Sequence, residues 1–265
     1  MQTIDTHVHL EGDPAQWDPM MIRSAAAGVA AWVVVGGSEA MNASAREAAA
    51  RWPGKAFAAV GFDRHAADTG MPDAAARLVA LLDDADGSGA GVVAIGEIGL
   101  DHHFAPRNDQ AQQRVMDEQL AVARQRRLPV VVHSRDADEE TIATLEAHRS
   151  GWKGEPDRIG VIHSFTGDTR FALAVIELGF HVSFSGILTF RNADDLRRVA
   201  VSVPATRLLV ETDTPYLAPV PVRGRPNEPA YVLHVVRALA LARGESAEAV
   251  AQQTTLNARR LFLGM

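Results

Sequence analysis

Six residues whose side chains commonly bind metals are spread along the chain at regular intervals. They are four histidines and two carboxylates: His7, His9, Glu97, His133, His163 and Asp213. His7 and His9 are two residues apart, so both side chains would lie on the same face of a strand. Because the chain has no cysteine, imidazole and carboxylate groups are the metal ligands available to it.

The intervals between these residues predict that they meet at one end of a barrel. Each residue lies at or just after the end of a short apolar run. The steps are 90 residues across three predicted strand–helix units, 36 and 30 residues across one unit each, and 50 residues across two. Since the carboxyl ends of the strands of a (β/α)8 barrel share one rim, all six side chains would reach the same mouth.

The elements that would position these residues are eight apolar, β-rich runs that alternate with segments of helical spacing. The runs cover residues 3–7, 31–35, 56–60, 92–95, 129–132, 160–162, 181–184 and 208–210. The predicted helices include residues 110–126, 169–178 and 228–243, with one or two closing helices over 246–263. Continuous apolar strands are typical of a parallel sheet covered on both faces.

The length of the chain favours a closed barrel. Its 265 residues are close to the roughly 250 residues of one such barrel. We therefore predict an α/β fold, a single (β/α)8 TIM barrel that forms one metal-dependent hydrolase domain over residues 1–265. An open doubly wound sheet fits less well, because its glycine-rich fingerprint does not follow the first run.

The number of candidate ligands predicts two divalent cations, since a catalytic site with one metal needs only about three protein ligands. The predicted ligand sets are His7, His9, Glu97 and Asp213 for one cation, and Glu97, His133 and His163 for the other. Glu97 would bridge the cations, and water between them would become a hydroxide nucleophile near neutral pH. Asp213 would accept the proton, so Glu97 and Asp213 are the predicted catalytic residues.

The overall charge limits the class of substrate. A net charge of -7, from 26 basic and 33 acidic residues, argues against a surface that binds nucleic acid everywhere. Two cations beside two carboxylates would nevertheless make the mouth locally positive. His65, Arg135, Arg223 and Arg225 are predicted on rim loops, where they would contact phosphate oxygens. A phosphodiester would fit such a mouth, although these side chains could equally be solvated loop residues.

The composition predicts a cytoplasmic enzyme with no membrane segment and no obligate protein partner. Hydrophobic residues make up 47% and charged residues 22%, which excludes general disorder. No apolar run approaches the roughly 18 residues that a membrane helix needs. The first residues also lack the basic and then apolar pattern of a signal peptide.

Seven stretches of the sequence resemble the TatD family of metal-dependent deoxyribonucleases, within the wider amidohydrolase-like barrels. They are residues 5–10, 96–101, 128–135, 161–167, 211–217, 227–231 and 257–262, in family order. The resemblance implies a barrel, Mg²⁺, Mn²⁺ or Zn²⁺ at a site of His, Glu and Asp, and cleavage of DNA, often from an end. It also maps the metal ligands onto the same six residues.

Two predicted rim loops depart from the family pattern. The family usually has Gly-x-His-Pro-His after the third strand, whereas here Asp63 and Arg64 replace the first His and the Pro. After the eighth strand, Pro226 replaces a basic residue of the usual Arg-Gly-Lys-Arg-Asn-Glu-Pro. Because both loops would face the substrate, the choice of substrate depends on these three positions.

Three other functions are compatible with the same candidate ligands. The barrel could hydrolyse a small amide, lactone or phosphoester, although the relatives that do so commonly bridge their metals with a carboxylated lysine where this chain has Glu97. RNA is a further possible substrate, because no residue is an evident reader of the 2′-hydroxyl. A non-catalytic, metal-stabilised scaffold is the alternative from a different class of protein.

Overall fold

The structure, a computed structural model, describes residues 1–83, 91–103 and 110–262. The strands are β1 (Thr3–Val8), β2 (Val29–Gly37), β3 (Ala56–Phe62), β4 (Val92–Asp101), β5 (Val130–Arg135), β6 (Gly160–Ile162), β7 (His181–Phe184) and β8 (Leu208–Val210). The helices are α1 (Trp17–Ala27), α2 (Glu39–Arg51), α3 (Arg64–Asp68), α4 (Ala74–Leu82), α5 (Gln110–Arg126), α6 (Asp138–Gly151), α7 (Thr169–Glu177), α8 (Asp194–Ser202), α9 (Val232–Arg243) and α10 (Ala247–Leu261).

The eight strands form one parallel sheet in chain order, and its two ends meet. Just beyond β8, the backbone N–H of Asp213 donates to the carbonyl oxygen of His7 at 3.0 Å. The N–H of His9 donates to the carbonyl oxygen of Thr214 at 2.8 Å. These bonds join the first strand to the last, so the predicted (β/α)8 barrel is confirmed.

The main difference from the predicted strands is the length of β4. The apolar run ends at residue 95, but the strand continues to Asp101, so Glu97 lies within it. Residues 98–101 pair with β5 in register, and Gly99 is opposite His133. A Cβ atom at Gly99 would overlap the carbonyl oxygen of His133, so the glycine permits this close approach. Glycines at 96 and 99 interrupt the apolar pattern, which is why the prediction was too short.

The other elements agree closely with the predicted segments. α5 has the predicted bounds, and α7 ends one residue earlier than predicted. The segment 228–243 divides into a 3-10 turn over Pro229–Tyr231 followed by α9. Within the part of the chain that the structure describes, no helix is both long enough and apolar enough to cross a membrane.

The barrel has an apolar interior that is closed at one end. Small and branched side chains such as Ala31, Val33 and Ala59 fill this interior. Leu261 and Phe262, at the end of α10, are fully buried in the same cluster. Since α10 packs on β1 and β8, it plugs the barrel and leaves the polar residues at the opposite rim.

Candidate metal centre

Glu97 lies between two pairs of histidines at the mouth of the barrel. Its Oε2 atom is 3.4 Å from Nε2 of His7 and 3.6 Å from Nε2 of His9. Its Oε1 atom is 3.3 Å from Nδ1 of His133 and 3.2 Å from Nε2 of His163. The structure therefore brings these five predicted residues together, and each carboxylate oxygen of Glu97 faces a different pair.

Asp213, the sixth predicted residue, lies on the side of His7 and His9. Its Oδ1 atom is 3.9 Å from Nε2 of His7 and 3.7 Å from Nε2 of His9. The backbone of Asp213 is left-handed, with a φ of 61°, which is uncommon for residues other than glycine. Its N–H bond to His7 and its carbonyl bond from the N–H of Tyr216 hold this conformation.

The seam, where β1 meets β8 and the residues that follow it, is stabilised by the buried carboxyl group of Asp5. Asp5 accepts hydrogen bonds from the backbone N–H of Thr212 at 2.9 Å and from its hydroxyl at 2.6 Å. Burial raises the pKa of Asp5 to about 8, although the bonds from Thr212 act against the rise. Because Asp5 precedes His7 and Thr212 precedes Asp213, these bonds set the spacing of the two site residues.

The hydrogen bonds of His9 leave a lone pair directed into the centre. Its Nδ1 lies 2.9 Å from the carbonyl oxygen of Val35, which can only accept, so Nδ1 carries the proton. The Nε2 atoms of His9 and His7 are 3.0 Å apart, a separation with room for one proton at most. Burial lowers the pKa of both rings, that of His7 to about 3, so both are neutral at pH 7.

His163 has a carboxylate beside each ring nitrogen. Nδ1 is 3.3 Å from Oε1 of Glu211, and Nε2 faces Glu97. Burial alone would lower the pKa of His163, but Glu97 and Glu211 raise it well above its ordinary value. The two carboxylates therefore favour positive charge at His163. A bound cation would supply such a charge, because metal binding to imidazole replaces protons.

His133 is held in the same way by a residue of the neighbouring strand. Its Nε2 lies 3.2 Å from Oδ2 of Asp101, while Nδ1 faces Glu97. A carboxylate accepts the N–H of Nε2, so the lone pair of Nδ1 is directed towards the centre. Ligating histidines almost always donate their second N–H to such an acceptor.

The carboxylates of the centre also fit a cation. Burial raises the pKa of Asp213 well above its usual range, and Glu211 and Glu97 add to the effect, while His163 opposes it. Burial would likewise raise the pKa of Glu97, but the surrounding histidines lower it well below the usual range. Imidazole nitrogens and carboxylate oxygens together suit Zn²⁺ and Mn²⁺, and the carboxylates suit Mg²⁺.

The ligand atoms form sets that match the predicted division. Among the described residues, the sets with ligand atoms within 4.8 Å of one another are His7, His9 and Asp213; Glu97, His133 and His163; and His7, His163 and Glu211. The first two are the two predicted groups, with Glu97 also in contact with the first. Glu211, two residues before Asp213, belongs to the third set through its contact with His163.

The four predicted substrate contacts lie on the rim, but their side chains have different surroundings. Arg135 ends β5, and its backbone pairs with that of Asp101. The guanidinium of Arg223 stacks 3.8 Å from the ring centroid of Phe190. Arg225 is exposed in the same loop. His65 is 63% exposed and its Nδ1 is 3.4 Å from Asp68, so its ring turns towards solvent.

Sequence reasoning missed three residues at the mouth. Arg64 and Asp63 were noted only as departures, yet Arg64 contacts Asp101 and the pKa of Asp63 is raised to about 6, by burial and then by Glu97. Tyr216 is 52% exposed, and its ring centroid is 6.1 Å from that of His9. The signal in the sequence that could have placed Tyr216 at the mouth was its position three residues after Asp213.

The fold and the arrangement of the candidate ligands are those of a barrel protein whose mouth can hold metal ions. The family described as TatD related DNase matches residues 4–263. The chain therefore belongs to this family, and the resemblance found in the seven stretches is confirmed.

The chain is similar to several named proteins of this kind. It is 47% identical over 172 residues to the "uncharacterized metal-dependent hydrolase YcfH" of Escherichia coli K12, an alignment that covers 65% of this chain and only 63% of that relative. It is 32% identical to the "3'-5' ssDNA/RNA exonuclease TatD" of Salmonella typhimurium over 92% of both chains. The crystal structure of the TatD homologue YjjV from Escherichia coli superposes with a TM-score of 0.88 at 30% identity, over 98% of this chain and 97% of that one.

Proposed function

We propose that this protein hydrolyses phosphodiester bonds of DNA from an end of the strand, as a TatD-like deoxyribonuclease. The observation that carries the proposal is the position of Glu97, whose two oxygens face two separate histidine pairs in one mouth. This arrangement supports two divalent cations, Mg²⁺, Mn²⁺ or Zn²⁺, bridged by Glu97. The name of the Salmonella typhimurium relative, a 3'-5' ssDNA/RNA exonuclease, supports the substrate class and the exonucleolytic mode.

The metal-binding residues in this proposal are His7, His9, Glu97, His133, His163 and Asp213. Bound divalent cations supply Lewis acidity, which makes water more acidic and stabilises charge on phosphoryl oxygens. Asp213 accepts the proton of the attacking water, because its carboxylate lies at the mouth beside His7 and His9. Glu97 orients both halves of the site, since it contacts both.

The substrate is held by the rim. Arg135, Arg223 and Arg225 supply positive charge for phosphate oxygens, with His65 at the edge of the mouth. Tyr216 supplies an aromatic ring on which a base can stack, because it is half-exposed and lies beside His9. Its hydroxyl lies 3.2 Å from Oε1 of Glu11, which limits rotation of the ring. Bases stack on such rings without regard to sequence, which favours an unpaired strand.

A smaller phosphoester is a second candidate substrate, and Asp63 is the observation that favours it. Its carboxyl group is close enough to Glu97 for the two charges to interact, and its pKa is raised to about 6. A further negative charge at the mouth disfavours a polyanion more than a small ester. The two candidates differ in whether activity depends on the length of the nucleotide chain.

The test is incubation of the protein with end-labelled single-stranded DNA and Mg²⁺ or Mn²⁺, with a chelator control. Glu97→Gln removes one charge without changing the shape of the side chain, and Glu245→Gln, at a surface ion pair with Arg243, is the matched control. Metal-dependent shortening from one end that is lost only in Glu97→Gln supports the proposal. A metal-loaded, folded protein that leaves the DNA intact refutes it, and hydrolysis of a small ester by that protein then supports the second candidate.

A further inference from the structure

The most exposed histidine of the centre is connected to a chain of charged side chains. The side chain of His133 is 26% exposed, whereas those of His7, His9 and His163 are 1%, 5% and 4% exposed. Packing therefore immobilises three of the rings but leaves the ring of His133 freer to rotate. Its orientation must depend more on hydrogen bonds than that of any other histidine in the set.

Asp101 supplies the hydrogen bond to His133 and is itself held firmly. Its side chain is buried, its Oδ1 accepts the backbone N–H of His103 at 2.9 Å, and its Oδ2 is 3.2 Å from Nε2 of His133. Asp101 also lies on β4, the strand that carries Glu97. One strand therefore provides both a candidate ligand and the residue that orients His133.

Arg64 closes the chain of contacts from the neighbouring loop. Its Nε lies 3.4 Å from the same Oδ2 atom of Asp101, and the side chain is only 18% exposed. Arg64 begins α3, directly after β3, so the contacts link the ends of β3, β4 and β5. A buried carboxylate needs a cationic partner, and the guanidinium of Arg64 provides one.

We propose that Asp101 and Arg64 are positioning residues for His133: Arg64 holds the Asp101 carboxylate, and Asp101 holds the imidazole with Nδ1 directed at Glu97. This inference rests on the proposed metal centre but not on the identity of the substrate. Because these contacts lead to His133, we expect their effect at the cation on the side of His133 and His163. His9 and His163 rely instead on Val35 and Glu211.

The test measures metal binding, by calorimetric titration of the metal-free protein with Zn²⁺. In Asp101→Asn, the amide can offer its oxygen to His133 only by placing its N–H groups against the backbone N–H of His103, and it has no charge for Arg64 to hold. We expect this variant to weaken one of two Zn²⁺ sites about 10- to 100-fold and to leave the other unchanged. Arg64→Met should weaken the same site, and Arg64→Lys should restore most of the affinity.

A double variant distinguishes positioning from a merely structural role. If Arg64 acts on His133 through the Asp101 carboxylate, Arg64→Met should weaken Zn²⁺ binding much less in the Asp101→Asn background than in the wild type. The matched control is Arg207→Met, which removes an ion pair with Asp157 from an arginine that is 19% exposed, at the far end of the barrel. It should leave both Zn²⁺ sites unchanged.

The outcomes separate this inference from the proposed function. Wild-type affinity at both sites in Asp101→Asn, equal losses in Arg64→Met and Arg207→Met, or strictly additive losses in the double variant would overturn it. If Asp101→Asn does not fold, the three arginine variants decide the question, since Arg64 is on the surface side of the contacts. A wild-type protein that binds two Zn²⁺ ions but cleaves no DNA contradicts the nuclease proposal and leaves this inference standing.

Discussion

The two sides of Glu97 are built differently. On the inner side, His7, His9 and Asp213 are buried and are held by backbone groups, namely the carbonyl of Val35 and the seam between β1 and β8. On the outer side, His133 and His163 are held by the carboxylates of Asp101 and Glu211. The backbone groups are fixed by the closure of the barrel, whereas the carboxylates depend on their own partners.

This difference predicts unequal cation sites. An inner cation would be enclosed and would have rigid ligands, so it should bind tightly and exchange slowly. An outer cation would lie beside the partly exposed His133, with ligands that side chains hold in place. We therefore expect the outer site to be the one that responds to metal concentration and to substitutions in the rim loops.

The largest effect should come from Glu97→Gln, because Glu97 contacts both sides. We expect loss of both cations and a fall in DNA cleavage of more than about 100-fold, which exceeds the effect of changing a residue that only supports a ligand. Metal content after dialysis and the initial rate on end-labelled DNA measure the two effects. Retention of either cation at wild-type affinity would show that Glu97 is not the bridge.

The variants His9→Ala and His133→Ala test whether the two sides of Glu97 form cation sites with different affinities. Both variants should lose activity, but only His133→Ala should regain part of it as the Mn²⁺ concentration is raised, since its inner site is intact. Rates measured over a range of Mn²⁺ concentrations provide the test. Equal rescue of the two variants would mean that the sites are equivalent and that the difference in burial has no consequence.

The candidate ligands of both sides could be located from the sequence better than the groups that contact them. His7, Glu97 and Asp213 could be identified because each follows an apolar run at one interval of the barrel. The groups that contact these ligands could not be identified from the spacing. Val35, for example, contributes a backbone carbonyl, which any residue at that position would have. Asp101 follows the run by several residues, and only the extended β4 brings it to His133.

The rim loops were the least predictable part of the molecule. Side chains in a loop have no periodicity that fixes the direction in which they point, so His65 was predicted as a substrate contact and Arg64 was noted only as a departure from the family pattern. The structure turns His65 to Asp68 and Arg64 to Asp101. The strands and helices, in contrast, carry hydrophobic patterns, and their predicted bounds agreed within a few residues except in β4.

A smaller effect is expected at Tyr216, which extends the inner side towards the substrate. Tyr216→Leu should raise KM for single-stranded DNA about tenfold, because stacking of a base on an aromatic ring contributes about 1–3 kcal/mol. Tyr216→Phe keeps the ring and should behave like the wild type. Hydrolysis of bis(4-nitrophenyl) phosphate, which has no base, serves as the control for the centre itself. An unchanged KM in Tyr216→Leu would exclude stacking at this position.

The smallest expected effect is on the pH dependence of the free energy of unfolding. It distinguishes the contribution of His148 from that of the titratable groups in the metal centre. Burial, and then Arg124, lower the pKa of His148 in α6 to about 4, from 6.5 when the ring is exposed. Between these pH values the unfolded chain binds a proton that the folded protein does not, so the free energy of unfolding decreases as the pH falls from about 6.5 to about 4.

His148→Gln removes this contribution, because glutamine does not titrate. The metal-free variant should lose stability less steeply below pH 6.5, by up to about 1.4 kcal/mol per pH unit. Urea unfolding at several pH values measures the slope, with the wild type in the same chelating buffer as the control. The contacts of His148 are with Arg124, Trp152 and Phe180 and not with a candidate ligand, so DNA cleavage at pH 7.5 should not change. A slope identical to that of the wild type would mean that the buried ring titrates normally, and the pH dependence of folding would then belong to the metal centre.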